Sequence, residues 1–260
     1  RRFGSKKLAS LSLDFLTSVS VTPGRGNGVP TFTRGTTGYE VGSNGLLQSF
    51  AIDAPRFSYD PVTLLPRGLL IEGASTNLCL QSNSLTTTWT ALGTPAATQN
   101  VTGPDGTTSA WTLTDNDAIT TEGISQAITL TAAPYTMSVF VKKTSGAQGS
   151  YPVLEAITGT VCALCTIDSS NGTATVWTAY TGRTMLASAS ARCTSFSATF
   201  WRVELTYTAT VASYTHSLFC AGTTNATQST GIVDVTGQGT AVFYGVQVEA
   251  TSSASSYIPT

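Results

Sequence analysis

Apolar and polar residues alternate with period two along much of this chain. In FWRVELTYT, Trp201, Val203, Leu205 and Tyr207 fall on one face and Arg202, Glu204, Thr206 and Thr208 on the other, the spacing of a half-buried β-strand. AVFYGVQVEA assigns Val242, Tyr244, Val246 and Val248 to an apolar face and puts Gln247 and Glu249 outside. PYTMSVFVKK groups Met137, Val139 and Val141 and stops at Lys142 and Lys143. Further strands are predicted at 109–114, 124–130, 161–167, 173–178 and 213–220, separated by turn signals such as Pro104-Asp105-Gly106 and Ser170-Asn171-Gly172. No segment beyond residue 80 carries a 3.6-residue stripe over three turns. About eight strands between 109 and 249 predict an all-β chain whose main body is a jelly-roll β-sandwich.

The N-terminal third reads differently. Strand-like pieces at 11–16, 29–34 and 46–52 are short and cut by glycine, too little for an independent core. The expected organisation is a short β-hairpin module over 1–78, then the sandwich over 79–260, with the boundary near 78–90. The module contains PRFSYDPVTLLPRGLLIEGASTNL, residues 55–78. Pro55 and Pro61 bracket Phe57 and Tyr59 as an extended piece, and Asp60-Pro61 biases the chain toward a turn. Pro66-Arg67-Gly68 is expected to make the next reversal, and LLIE to be a buried strand. The result is a stiff hairpin that ends in Thr76 and Asn77.

Composition supports the all-β reading. Of 260 residues, 41% are hydrophobic and only 10% charged, and hydroxyls replace the missing charges, with 47 Thr and 29 Ser. The net charge of −1 gives no general attraction to nucleic acid or an anionic membrane. The start, RRFGSKK, reads as a solvated tail, and LASLSLDFL is broken by serines and Asp14, unlike a signal peptide. No run approaches the ~18 apolar residues of a membrane span. The five cysteines, Cys79, Cys162, Cys165, Cys193 and Cys220, are too few and too spread for a disulfide scaffold, and with one histidine they do not make a zinc site. They read as free buried thiols, with Cys162 and Cys165 on opposite faces of one strand.

The 55–78 segment closely resembles one that recurs in tailed-bacteriophage virion proteins labelled tail-fibre, minor-tail or head-fibre proteins. The preceding TFTRGTTGYEVGSNGLLQSFAIDAPR is similar to that family's lead-in. PDGTTSAWTLTDND, YTMSVFVKK, FWRVELTYT and VFYGVQVEATSSASSYIPT follow the order of its carbohydrate-binding-module-like jelly roll. The resemblance covers roughly residues 30–260. SATFWR departs from it by lacking the glycine-flanked turn often found before the tryptophan-arginine strand. The resemblance implies a non-enzymatic virion protein, assembled in the host cytoplasm, with an outward sandwich that meets host-surface glycans. It also implies a homotrimer docked on other virion proteins through the N-terminal region. The assembly face expected for residues 1–78 pools Leu11, Leu13, Phe15, Phe57, Leu69 and Ile71. A structural calcium is sometimes held by such jelly rolls, and Asp105, Asp115 and Asp117 are the oxygen donors available in loops.

A glycan site needs aromatic faces and polar partners. Trp177 with Tyr180, in TVWTAYTGR near Arg183, is the best stacking candidate, with Trp89 and Tyr151 as further ones; the alternative for Trp177 is a packed edge strand or subunit contact. Trp201 and Trp111 are expected in the core. His216, the one histidine, lies on a strand with Leu218 and Cys220 and is expected to be a satisfied, partly buried side chain and not a catalytic base. No G-x-S-x-G elbow occurs. Glu72, Glu122, Glu155, Glu204 and Glu249 show no spacing of a glycosidase pair. Glu72 and Glu249 belong to the quoted motifs and are expected to bond backbone amides or a partner subunit. The competing class is a glycan-active enzyme or its ancillary binding module.

Overall fold

A computed structural model describes residues 15–16, 19–21, 29–146 and 148–260; Leu11 and Leu13, and most of the 11–16 piece, lie outside them. The chain forms two compact units that divide at Gly73 and Ala74, so the Ser-Thr-Asn end of the 55–78 segment belongs to the second unit.

The first unit holds two antiparallel hairpins, β1 (Gly38–Val41) with β2 (Leu47–Phe50) and β3 (Phe57–Tyr59) with β4 (Pro66–Leu69). Asn44-Gly45 closes the first. Gly45 has φ +75°, and a Cβ there would stand 2.8 Å from both Leu64 Cδ2 and the Pro61 carbonyl oxygen, so glycine is required twice over. The second reversal lies at 60–65, not at Pro66-Arg67-Gly68, which pairs within β4. Asp60 explains the shift. Its carboxylate accepts from the Val62 and Thr63 amides at 2.9 and 2.7 Å and from Arg67 Nη2 at 2.7 Å, which organises the turn one residue after β3. LLIE is not a buried strand: β4 ends at Leu69 and Ile71 is 83% exposed.

No strand forms at 29–34. Instead Arg34 donates to the carbonyls of Thr36 (2.8 Å), Phe50 (3.0 Å), Ala51 and Ala54 (3.1 Å), while its own amide donates to Asp53 Oδ1 at 2.7 Å. Arg56 adds a bond to the Tyr39 carbonyl and an ion pair with Glu72 at 3.0 Å. These guanidinium-to-backbone bonds hold a unit in which, among the described residues, only Val41 and Leu47 are buried large apolar side chains.

The second unit contains β5 (Thr90–Leu92), β6 (Ala96–Val101), β7 (Ala110–Asp115), β8 (Gly123–Leu130), β9 (Ala133–Lys142), β10 (Tyr151–Thr158) and β11 (Val161–Asp168). It continues through β12 (Thr173–Val176), β13 (Thr184–Met185), β14 (Ser190–Ser195), β15 (Phe200–Ala209), β16 (Ala212–Thr223) and β17 (Gly239–Glu249). They make two sheets, ordered β12-β11-β10-β16-β8-β5, with β13 parallel beside β11, and β14-β15-β9-β17-β7-β6. The two stack as a jelly-roll sandwich. Between them lie Met137, Val139 and Val141 of β9, Val203, Leu205 and Tyr207 of β15, and Ala163, Cys165 and Ile167 of β11. No helix occurs among the described residues, so none is long and apolar enough to cross a membrane. All five thiols are free. Cys162 and Cys165 enter separate cores on the two faces of β11, as their spacing requires. Burial pushes the Cys79, Cys165 and Cys220 thiols up to about 12.

One strand departs from its simple alternation. The β17 register shifts between Tyr244 and Gln247, with Gly245 at φ +61°. Ala241 and Phe243 therefore point inward with Val246 and Val248, whereas Tyr244 joins Gln247 and Glu249 on the outer face. A Cβ at Gly245 would lie 2.9 Å from the Tyr257 ring, so the bulge also admits the C-terminal tail.

That tail buries the outer face of its sheet. Tyr257 packs on Tyr244 and Phe140, with ring centroids at 5.5 and 6.1 Å. Glu249, fully buried, accepts from the Ser255 amide at 3.1 Å and from the Ser75 and Gln247 side chains. Gln247 Oε1 accepts the Ile258 amide at 2.7 Å. From the other end of the unit, Asn77 donates to the carbonyls of Val246 (3.1 Å) and Ile258 (2.9 Å) and accepts the amides of Cys79 and Val248, both at 3.0 Å. Ser82 and Thr260 exchange two further bonds at 3.0 Å. The expectation that Glu249 binds backbone amides is met within one chain.

Two predictions follow from this packing. Asn77→Asp keeps the side-chain shape but replaces two donors with a carboxylate oxygen aimed at two carbonyls. It should lower stability by about 3 kcal/mol in urea denaturation; a loss under ~1 kcal/mol would show that this bonding carries little weight. The second concerns His216, fully buried, whose Nε2 lies 2.5 Å from the Tyr207 hydroxyl and whose Nδ1 has no partner among the described residues. Burial holds its pKa down to about 4, because removal from water penalises the charged ring by more than the Gln126 and Tyr214 backbone beside it recovers. The unfolded chain takes that proton near pH 6.5, so stability should fall as pH drops from 6.5 to 4, by about 3 kcal/mol in all. His216→Gln should remove this part of the acid sensitivity; an unchanged slope would assign it to the carboxylates.

Candidate functional site

The opposite outer face, on β10, β11 and β16, carries a second small core. Val153, Cys162, Leu164 and Phe219 project from the sheet, and Trp177 and Val233 close over them, with Tyr180 and Met185 at the edge. Trp177 follows the short strand β12, and its amide donates to the Leu164 carbonyl at 2.9 Å, which carries the chain across β11. Its indole Nε1 donates to Thr166 Oγ1 at 2.8 Å. The loop then turns at Gly182, φ +78°, and returns as β13. A second loop clamps the first: Thr178 and Thr181 amides donate to the carbonyls of Ser229 and Gly231 at 2.8 and 2.7 Å.

Three of the sequence-derived candidates meet here. Tyr180 stacks on Trp177 at 5.7 Å and 28°, and the Arg183 guanidinium lies 4.3 Å from the Tyr180 ring centre. Arg183 also pairs with Glu155, which projects from β10 between Leu164 and Ser217. Glu155 is buried, and burial pushes its carboxyl above the ordinary range against the pull of Arg183. The cluster is a layered stack: indole, phenol, guanidinium, carboxylate. It can fix the loop and present the edge of Tyr180 and part of Arg183 to solvent. Glu155 is the member that sequence reasoning did not place, since its only partner in the cluster, Arg183, lies 28 residues away.

Within the stack Trp177 serves as core, and the other candidates lie elsewhere. Trp177 is 2% exposed, so its ring is a core element and not an open platform. Trp89 is buried in the main core, with Nε1 directed at the Gln81 carbonyl, 3.4 Å away. Tyr151 is half-buried at the start of β10. Trp111 and Trp201 are half-buried at the margin of the core, not within it. Trp201 donates to the Ser169 carbonyl at 2.8 Å and carries Lys143 Nζ 4.0 Å from its ring centre.

Asp105, Asp115 and Asp117 do not converge, and no group of three acidic, histidine or cysteine side chains suited to a metal occurs among the described residues. Each carboxylate is taken up by its own turn. Asp105 accepts from Thr107 and Ser109, Asp115 from the Glu122 and Asp117 amides, and Asp117 from Ile119 and Thr120. Of the remaining glutamates, Glu122 bonds Thr94 and the Asn116 amide, and Glu204 pairs with Arg192 and accepts the Ala254 amide.

No protein-family model matches this chain, and no curated protein matches it. Among solved structures it is similar to the CBM22-1 xylan-binding domain of Xyn10C from Paenibacillus barcinonensis. The identity is 12% and the TM-score 0.39, over 70% of this chain and 95% of that one. At that distance the fold rests on the strand pairings above, and the xylan binding belongs to the neighbour.

The placement of Trp177 is directly testable. As a core residue, Trp177→Ala should lower stability by about 3–5 kcal/mol, read as a lower thermal midpoint. An unchanged midpoint would return the ring to the surface.

Proposed function

We propose that this chain is a non-enzymatic virion protein of a tailed bacteriophage, a head- or tail-fibre or decoration subunit. In this reading the first unit attaches and trimerises, and the sandwich faces outward toward host-surface glycans. The observation that carries it is the fate of the two motifs behind the family resemblance. ASTNL and VFYGVQVEATSSASSYIPT lie far apart in sequence, yet they are hydrogen-bonded to each other through Asn77, which meets Val246, Val248 and Ile258 at separations of 169 to 181 residues, and through Ser75 on Glu249. The resemblance therefore falls on residues that a shared architecture needs together, and not on scattered identities.

The first unit supports an attachment role. Of the expected assembly residues, Phe15 and Phe57 are half-buried against each other at 6.2 Å, Leu69 is half-buried and Ile71 is open. Leu16, Val29 and Ile52 are open as well. A unit with two buried large apolar side chains among its described residues and several exposed ones gains most from a partner. Glycan adhesion, in this reading, falls to the solvent-facing edges of Tyr180 and Arg183.

Antibody labelling of purified particles under negative stain decides the reading; a protein absent from mature virions overturns it. Sedimentation adds a second test. The full chain should run as a trimer and a fragment beginning at Ala74, which keeps Asn77, as a monomer. A trimeric fragment would move the assembly surface to the sandwich. Release of sugar from a polysaccharide panel, abolished by Glu155→Gln, would favour the enzyme class instead.

A further inference from the structure

The 60–65 reversal presents an unusual surface. Val62 and Leu65 are 60% and 64% exposed, Leu64 is 46% exposed, and Leu46 of the neighbouring turn adds a fourth apolar side chain. Leu64 adopts φ +59°, a left-handed conformation that a branched residue holds only when its surroundings enforce it. Here they do. The Asp60 amide donates to the Leu65 carbonyl at 2.8 Å and the Leu64 amide to the Asp60 carbonyl at 2.9 Å. The Val62 and Thr63 amides are taken by the Asp60 carboxylate. Leu64 itself packs over Gly45, where any side chain would collide. The loop is thus preorganised, the Asp60, Val62, Thr63 and Leu64 amides are satisfied internally, and its outer surface is mainly Val62, Leu64 and Leu65 with Thr63 among them.

We propose that this tip is a contact between identical copies of the chain. The proposal rests on the assembly reading above and names a surface that reading did not contain. Charge decides the occupant. At the symmetry axis of a trimer all three copies bring the same patch together, so an unbalanced charge there would meet its own sign. At this tip the two nearest charges cancel within one copy, Asp60 against Arg67 at 2.7 Å. An anionic lipid surface would call for free cations around the methyls, and Arg67 is already neutralised. Area sets the scale. The four side chains expose the equivalent of about two whole ones, on the order of 200–300 Å² of apolar surface, against roughly 800 Å² per partner in a stable pair. The tip therefore acts as the rigid centre of a wider first-unit contact that includes Ile71.

The test uses the full chain with Val62→Ser and Leu65→Ser together, both on exposed positions, so the thermal midpoint should not move. Sedimentation velocity across a concentration series should show assembly by the unchanged chain and a requirement for about tenfold more protein, or greater, in the variant. In a second measurement, Val62→Cys should form a disulfide between copies under mild oxidation. Assembly of the double variant at the original concentrations, or no cross-link in assembled Val62→Cys protein, would overturn the tip contact and leave the assembly reading standing. A wholly monomeric unchanged chain would overturn both. Co-pelleting of the unchanged chain with phosphatidylcholine vesicles, lost in the double variant, would assign the tip to a lipid surface and overturn the proposal.

Discussion

The amide of Asn77 has four hydrogen-bonding positions, and the second unit is arranged so that all four are met. Two of its partners lie on β17 and one on the C-terminal tail, 169 to 181 positions along the chain. A polar group buried without partners costs a few kcal/mol, so each segment can be buried only if the others are in place. Gln247 and Glu249 extend the same dependence to 255–258 and to Ser75. The outcome is a cooperative closure between the two ends of the sandwich, built from contacts of very high sequence separation. Such contacts carry a high closure cost, because the long loop must be brought together before they contribute. The sheets can pair before it, but the outer face of β9, β15 and β17 stays open until the tail lies down.

The first unit solves the same problem with little buried apolar surface among its described residues. Its strands are three or four residues long, too short to bury much. A guanidinium offers five donors in a fixed plane, which a lysine cannot imitate, and Arg34 uses that geometry to gather carbonyls from Thr36, Phe50, Ala51 and Ala54. Polar bonds of this kind set the path of the chain while leaving leucines and valines outside. Shape is thus fixed by hydrogen bonds, and apolar surface remains available for another use.

Period-two alternation made β9, β15 and β16 legible, because each has one face in the main core and clear turn residues at its ends. It misread β17, where Gly245 inserts a bulge that no pattern of hydrophobicity announces, and so exchanged Phe243 for Tyr244. It missed β5, β6 and β14, edge strands whose alanine, serine and threonine residues carry too little contrast, and β10, whose run PVLEAI has none. The reversal at Asp60 was half legible: the turn bias before Pro61 was right, but the following Pro66-Arg67-Gly68 looked like a stronger turn than the Asp60 carboxylate makes it. Arg34 was visible as part of a motif, but carbonyl partners leave no trace in side-chain identity.

The candidate site failed in the sequence for a related reason, and the signal that could have found it was present. Trp177 sits among threonines in TVWTAYTGR, a context that reads as surface. Yet its neighbours in space come from VCALC and YPVLEAI, strands without alternation. A strand that is apolar on both sides must be covered on both sides. One side of β10 and β11 meets the opposing sheet, so some other part of the chain has to cover the second. Only loops remain for that, and the loop after β12 brings the largest apolar side chain within reach. Trp177 is consumed by that requirement, and the guanidinium of Arg183, held on the buried Glu155, is what the same requirement leaves partly at the surface.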